Sequence, residues 1–317
     1  MPTTSPPPRT TRHYLTGCEL DAAELYALLD RAAELKAAPL SSAALAGRSV
    51  ALLFEHPSTR TRLSFEAGIH ELGGHPVVLR TGDLQIARGE SIGDTALVLS
   101  RHVCAIGVRT GPDATLAELA AHSTVPVINM LTALHHPCQA LADLLTVRET
   151  FGELAGVHLA YVGDGNNVAR SFALLGARAG AYVAVASPPE YALALDADVD
   201  GTAGAIPLSA EERARISLHV DPREAVADAH AVYTDVWVSM NDDAATAAQR
   251  RRAHEPYRLD DALLDQAAPG AIALHCLPAH PGEEITAEVL HGERQRIWDQ
   301  AENRRHAQKA LLELLVA

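Results

Sequence analysis

The chain has 317 residues, 48% of them hydrophobic and 21% charged, enough for two packed domains and unlike a fibre or a disordered tail. Its 40 Asp and Glu outnumber 26 Lys and Arg, a formal net charge of −14 that argues against a nucleic-acid or anionic-membrane surface. Any anion it binds must therefore be drawn by a local pocket.

Residues 1–12, "MPTTSPPPRTTR", read as a loose, proline-stiffened tail without the apolar core of a secretory signal. No apolar stretch approaches the roughly 18 residues of a membrane helix. Cys18, Cys104, Cys138 and Cys276 stand far apart with no CxxC pair, as expected of free thiols in a reducing compartment, so the expected location is cytoplasmic.

Beyond the tail, short apolar runs alternate with helix-length segments. The first set of expected strands is 49–54, 76–79, 104–108 and 125–129. A second set is 157–162, 181–186, 216–220, 231–235 and 271–276. Runs apolar throughout suggest parallel strands buried on both faces. The expected class is α/β, with two domains, each a parallel sheet flanked by helices, joined by interdomain helices. Between the sets, "HPCQALADLLTVRETFGEL" keeps Leu141, Leu144 and Leu145 at helical spacing until Gly152, as a linking helix would. Residues 241–258 are polar and read as a loop, with Arg250, Arg251 and Arg252 as a solvated face. The last segment places Ala307, Ala310, Leu311, Leu314 and Leu315 on one helical stripe that must dock against something.

The stretch "PSTRTR" at 57–62 follows the first strand directly. In an open α/β sheet ligands sit beyond the carboxyl ends of strands, where the next helix offers unpaired N–H groups and a positive dipole end. Arginine forks there match phosphate oxygens, although Ser58 or Thr59 can also serve only as a helix cap, with the arginines in surface salt bridges. Arg109 closes another strand, and His136 and Gln139 stand at the mouth of the linking helix. If the first half is one sheet, these groups face one crevice and form an anion site.

In the second half, "VGDGNNVARS" invites a dinucleotide reading. Val168 occupies the third glycine's place, and no acid closes the next strand. Asn166 and Asn167 fit hydrogen bonds to a small polar ligand, or a helix cap. Asp235 puts a carboxylate at a strand end that suits an ammonium group. Cys276 and Leu277 precede Pro278, a bond that can be cis. His275, Cys276 and His280, or His136 and Cys138, lack a recognised zinc spacing, and Cys276 has no identifiable base to make it a nucleophile.

The order and spacing of "FEHPSTRTRLSFE", "QIARGESIGDTALVLSR", "VRT", "HPCQALADLLTVRE", "GDGNNVA", "DVWVSM", "HCLPAHPGEE" and "DQAENRRHAQKALL" resemble the ornithine carbamoyltransferases over nearly everything after residue 12. The resemblance implies a carbamoyl phosphate-binding domain over 13–148, an amino-acid domain over 149–298, and a last helix, 299–317, that packs back onto the first. It implies that Ser58, Thr59, Arg60 and Thr61 grip the phosphate, that Arg109 bridges phosphate and carbonyl oxygen, and that His136, Gln139 and Arg304 hold the carbamoyl group. Gln85 matches a position that reaches into a neighbouring subunit's site, implying a homotrimer or an assembly of trimers. Asn167, Asp235, Ser239 and Met240 match positions for the amino-acid end of L-ornithine, with Cys276 and the Leu277 carbonyl near its δ-amine. Neither metal nor cofactor is implied, and the expected partners are carbamoyl phosphate and L-ornithine.

The chain departs from the family pattern at His56 (usually Lys), Met130 (Gly), Arg170 (His), Asn241 (Gly) and Pro281 (Arg). Met130 and Pro281 are expected to alter the crevice walls. Alternatives therefore stay open: a carbamoyltransferase for another amine, such as lysine, putrescine or a specialised-metabolite precursor, or a non-catalytic binding subunit of the same fold.

Overall fold

Every strand expected from an apolar run is present in the computed structural model, which describes residues 11–85, 89–195, 208–238 and 244–317. The first sheet holds β1 (Ser49–Phe54), β2 (His75–Arg80), β3 (Ala105–Arg109) and β4 (Val127–Leu131), all parallel, in the order β2-β1-β3-β4. Parallel neighbours need crossovers, supplied by α2 (Thr59–Glu71), α3 (Ile92–Leu99) and α4 (Asp113–His122), with α1 (Ala22–Ala37) preceding β1. Then comes α5 (Pro137–Phe151), which stops at Gly152 with φ +86°, a left-handed conformation that costs glycine nothing.

The second sheet runs β7-β6-β5-β8-β9, again all parallel. Its strands are β5 (His158–Val162), β6 (Tyr182–Ala186), β7 (Ile216–His219), β8 (Ala231–Thr234) and β9 (Ile272–His275). Among them lie α6 (Asn167–Arg178), α7 (Ala210–Ala214), α8 (Pro222–Val226), α9 (Ala244–His254) and α10 (Asp261–Leu264), followed by α11 (Ala287–His291) and α12 (Ile297–Val316).

Two helices set the geometry of the cleft. Residues Pro137 to Val147 of α5 are buried without interruption, because α12, α6 and α1 all pack around it. Burial on every side lets this helix carry polar groups into the interior, provided each finds a partner. α12 packs on α5, α1 and α2 and also touches β9, so it spans both sheets. Its buried surface is wider than the expected stripe: Leu312 is fully buried, whereas Leu314 is 38% exposed. The apolar stripe falls short of it because α12 also buries Gln300, Asn303, Arg304 and Lys309 against partners, as in the Lys309–Glu71 ion pair at 2.6 Å.

The expected loop over 241–258 is also corrected. Residues 244–254 form α9, and residues 241–243 lie outside the described residues. Arg250 is no solvated group: it pairs with Asp164 at 2.8 Å and lies 4.7 Å over the Tyr191 ring. That tertiary contact holds a helix whose own apolar face is weak.

Met130 does not line the crevice. It is fully buried in the core and packs on Gly107, where an added Cβ would fall 2.9 Å from its sulfur.

Candidate active site

Each sheet reverses its direction of growth once. In the first, the chain leaves β1 for β2 and then returns to β3 on the other side of β1; in the second it leaves β5 for β6 and β7, then returns to β8 on the other flank. Loops diverge at such points and open a crevice at the carboxyl ends of the strands. "PSTRTR" leaves β1 and Arg109 ends β3, with Phe54 and Arg109 paired in register. "GDGNN" leaves β5 and Asp235 follows β8.

Ser58 occupies the N-cap position of α2 with an extended backbone, yet its side chain makes no capping bond, and no acid stands in the first turn. The expectation that it caps the helix is not met. Its hydroxyl, that of the exposed Thr59, and the positive end of α2 are left for a ligand.

Around this helix start gather three guanidinium groups. Arg304, 3% exposed, donates from Nη2 to Thr61 Oγ1 at 2.6 Å and from Nη1 to Gln139 Oε1. Arg109 has a buried Nε without a partner among the described residues; burial, then the charges of Arg304 and Arg60, push its pKa down to about 10. Among the described residues, none of Arg60, Arg109 and Arg304 forms an ion pair with a carboxylate. Such a cluster costs stability until an anion fills it.

His136 closes the group. Burial first, and then Arg304, Arg109 and Arg60, hold its pKa well below the ordinary range, so the imidazole is neutral. Its Nδ1 is buried without a partner among the described residues, and its backbone N–H donates to Ser171 Oγ of α6 at 2.7 Å, tying the two domains together. The Gln139 amide donates to Asp143 Oδ1 at 2.8 Å. Burial raises the Asp143 pKa to about 7 against the pull of these amide donors.

Across the cleft, Asp235 is 6% exposed and accepts from the Cys276 thiol at 2.8 Å and from Asn166 Nδ2 at 3.0 Å. Burial, then Asp235, raise the Cys276 pKa well above that of a free thiol. The sulfur stays protonated, which removes it as a nucleophile. Leu277 adopts φ +63°, an unfavourable conformation for leucine, followed by a cis bond to Pro278. Its N–H donates to His275 Nδ1 at 2.8 Å, which fixes Nε2 as the protonated nitrogen facing Glu284 at 3.1 Å. Both ring nitrogens are thus engaged, and Cys138 donates to the Asn129 carbonyl.

The dinucleotide reading meets two obstacles. Asn166 itself caps α6, accepting from the N–H groups of Val168 and Ala169, which removes the open helix end a pyrophosphate needs. Gly165 is pressed on the 191–193 backbone, where an added Cβ would lie 2.4 Å from Leu193 N. Asn167, next to the capping Asn166, donates to the Thr132 carbonyl at 2.6 Å, a second bridge between the domains.

The structure thus brings together Thr61, Arg109, His136, Gln139 and Arg304 on one side, and Asn167, Asp235, Cys276 and Leu277 on the other. Ser58, Thr59 and Arg60 stand at the start of α2 beside the first group. Gln85 is exposed in the segment after β2. Ser239, Met240 and Asn241 fall outside the described residues. Of the other departures, His56 is exposed near Gly111, Arg170 is buried and donates to the Ala194 carbonyl at 2.7 Å, and Pro281 is exposed in a bridge to Ile285. Sequence reasoning missed Asp143, Ser171 and Gln300. The spacing of Gln139 to Asp143 and of Gln300 to Arg304, four residues on one helix, was the available signal.

Comparison with known proteins fits this arrangement. Residues 12–149 match the model of the aspartate/ornithine carbamoyltransferase carbamoyl-P binding domain, and residues 155–315 that of the Asp/Orn binding domain. The chain is 53% identical over 306 residues to an ornithine carbamoyltransferase of Acidothermus cellulolyticus, covering 96% of both chains. It is 51% identical over 311 residues to one from Parafrankia sp., covering 97% of this chain and 96% of that one. The solved ornithine carbamoyltransferase from Pyrococcus furiosus superposes with a TM-score of 0.87 at 42% identity, with 96% of each chain covered. With matches spanning both domains and a site at both switch points, the chain belongs to the aspartate/ornithine carbamoyltransferase family.

Proposed function

We propose that the protein transfers the carbamoyl group of carbamoyl phosphate to the δ-amine of L-ornithine, giving L-citrulline and phosphate. One observation carries this reading: Arg60, Arg109 and Arg304 converge beside a neutral His136 with no carboxylate paired to them among the described residues. A dianionic phosphate supplies the missing charge, and the uncharged carbamoyl end lies against the imidazole and Gln139.

Ser58, Thr59, Arg60 and Thr61 bind the phosphate, and Arg109 spans phosphate and carbonyl oxygen. The Thr61 oxygen accepts from Arg304, which leaves its own O–H to donate to the ligand. Asn167, Asp235, Ser239 and Met240 hold the amino-acid end, and Cys276 and Leu277 border the δ-amine. The neutral amine attacks the carbonyl carbon, negative charge develops on the carbonyl oxygen, and the C–O bond to phosphate breaks as the amine loses a proton. Donors from Thr61, Arg109 and His136 stabilise the tetrahedral state; one such donor contributes about 3 kcal/mol.

The reading includes a homotrimer or assembly of trimers, with Gln85 serving a neighbour's site, and a cytoplasmic role in arginine biosynthesis or citrulline breakdown. No helix among the described residues is long and apolar enough to cross a membrane. The test is colorimetric detection of the ureido product with wild type and Arg60→Ala. Turnover by the wild type and its loss in the variant support the assignment; a variant that keeps most of its rate refutes the phosphate site.

A further inference from the structure

Asp143 is fully buried on α5, one helical turn after Gln139. A single oxygen, Oδ1, accepts from two amides: Gln139 Nε2 of its own helix at 2.8 Å and Gln300 Nε2 of α12 at 2.6 Å. A primary amide has one donor end and one acceptor end, so holding both Nε2 groups on a carboxylate forces both Oε1 atoms outward. Gln139 Oε1 then accepts from Arg304 Nη1, whose other arm grips Thr61. Gln300 Oε1 accepts from the His275 N–H at 2.9 Å, one residue before Cys276, whose thiol donates to Asp235.

We propose that Asp143 is a positioning residue whose one oxygen fixes the orientation of Gln139 and Gln300, and so joins the carbamoyl phosphate side of the cleft to the amine side. Gln139, Gln300, Arg304 and His275 are all at most 3% exposed, so water does not satisfy them if the amides turn. A flipped Gln139 sets its NH2 against the Arg304 guanidinium, donor to donor, and a flipped Gln300 does the same to the His275 N–H. The two arms leave from α5 and α12, the helices packed between the domains. A rival role, in which Asp143 acts only as a diffuse counter-charge to Arg304, needs the charge and not the acceptor oxygen.

Asparagine separates the two roles. In Asp143→Asn the amide oxygen can still accept from both glutamines, with its NH2 beside the Tyr233 hydroxyl that neighbours the carboxylate. Asp143→Leu removes the acceptor altogether, and Gln300→Leu cuts only the arm to His275. The inference rests on the carbamoyl-transfer reading, so wild-type citrulline formation is established first; its failure sinks that reading, whereas the variant comparison tests the clamp.

The clamp predicts that Asp143→Leu lowers kcat/KM for carbamoyl phosphate about 30-fold and raises the amine KM, while Asp143→Asn stays within about threefold of wild type. Gln300→Leu raises the amine KM about fivefold and leaves the carbamoyl phosphate KM within about twofold. A merely structural role lowers Tm without this split between the two KM values. Asp143→Asn as impaired as Asp143→Leu, or Gln300→Leu with an unchanged amine KM, overturns the proposal.

Discussion

Replacing Arg109 by methionine keeps the aliphatic stem and deletes a cation that pairs with no carboxylate among the described residues. Burial and the neighbouring guanidinium charges push its pKa down to about 10, which corresponds to an unfavourable charge of about 3 kcal/mol before screening. Arg109 is half-buried, so solvent screening reduces this to about 1–2 kcal/mol. For a cation with a lowered folded pKa, the penalty is complete below that pKa and fades as pH rises toward the unfolded value. Arg109→Met should therefore melt about 1.5–3 °C higher than wild type, by a constant margin between pH 6 and 9.

The catalytic effect has the opposite sign. A unit charge about 4 Å from a phosphate oxygen is worth about 4 kcal/mol at an effective dielectric of 20, so kcat/KM for carbamoyl phosphate should fall by about three orders of magnitude. Differential scanning fluorimetry with and without excess phosphate, alongside initial rates, reads both effects. An Arg109→Met protein that melts earlier than wild type yet binds carbamoyl phosphate normally is incompatible with a preloaded cationic site.

Activity should climb from pH 7 to 9, because a free alkyl amine has a pKa near 10.4, while His136, already neutral, adds no break near 6.5. A rate profile that is flat, or that breaks near 6.5 and loses this break in His136→Asn, contradicts that. Iodoacetamide at pH 8 should label Cys276 no faster than Cys104, since the Cys276 thiol is held protonated beside Asp235; preferential labelling by mass spectrometry would restore the nucleophile reading. Met130→Leu should cost less than about 1.5 kcal/mol of stability and leave the amine KM unchanged, because Met130 packs in the core and not on the cleft. An altered amine preference would return Met130 to the substrate wall.

Strands were legible because parallel strands buried on both faces are apolar throughout, as in "SVALLF" at 49–54. For the same reason the face of each strand residue was not legible, which is why Met130 was misplaced: a strand without polar alternation does not say which side a residue takes. The anion site could be read from hydroxyls and arginines at strand ends, since topology sends those ends to one crevice. α9 and the buried polar face of α12 could not, because partners far along the chain decide them: Asp164 and Tyr191 for Arg250, and Glu71 for Lys309. Asp143 escaped notice because in sequence it is one more polar residue on an amphipathic helix; only the fold wraps that helix on all sides.

The most direct measurement offers the purified protein carbamoyl phosphate and an equimolar mixture of ornithine, lysine, putrescine and aspartate, and identifies products by mass. Citrulline as the dominant product, with phosphate released in equal amount, is the predicted result. A different carbamoylated amine in excess, or no product while Arg60, Arg109 and Arg304 are intact, would contradict the assignment.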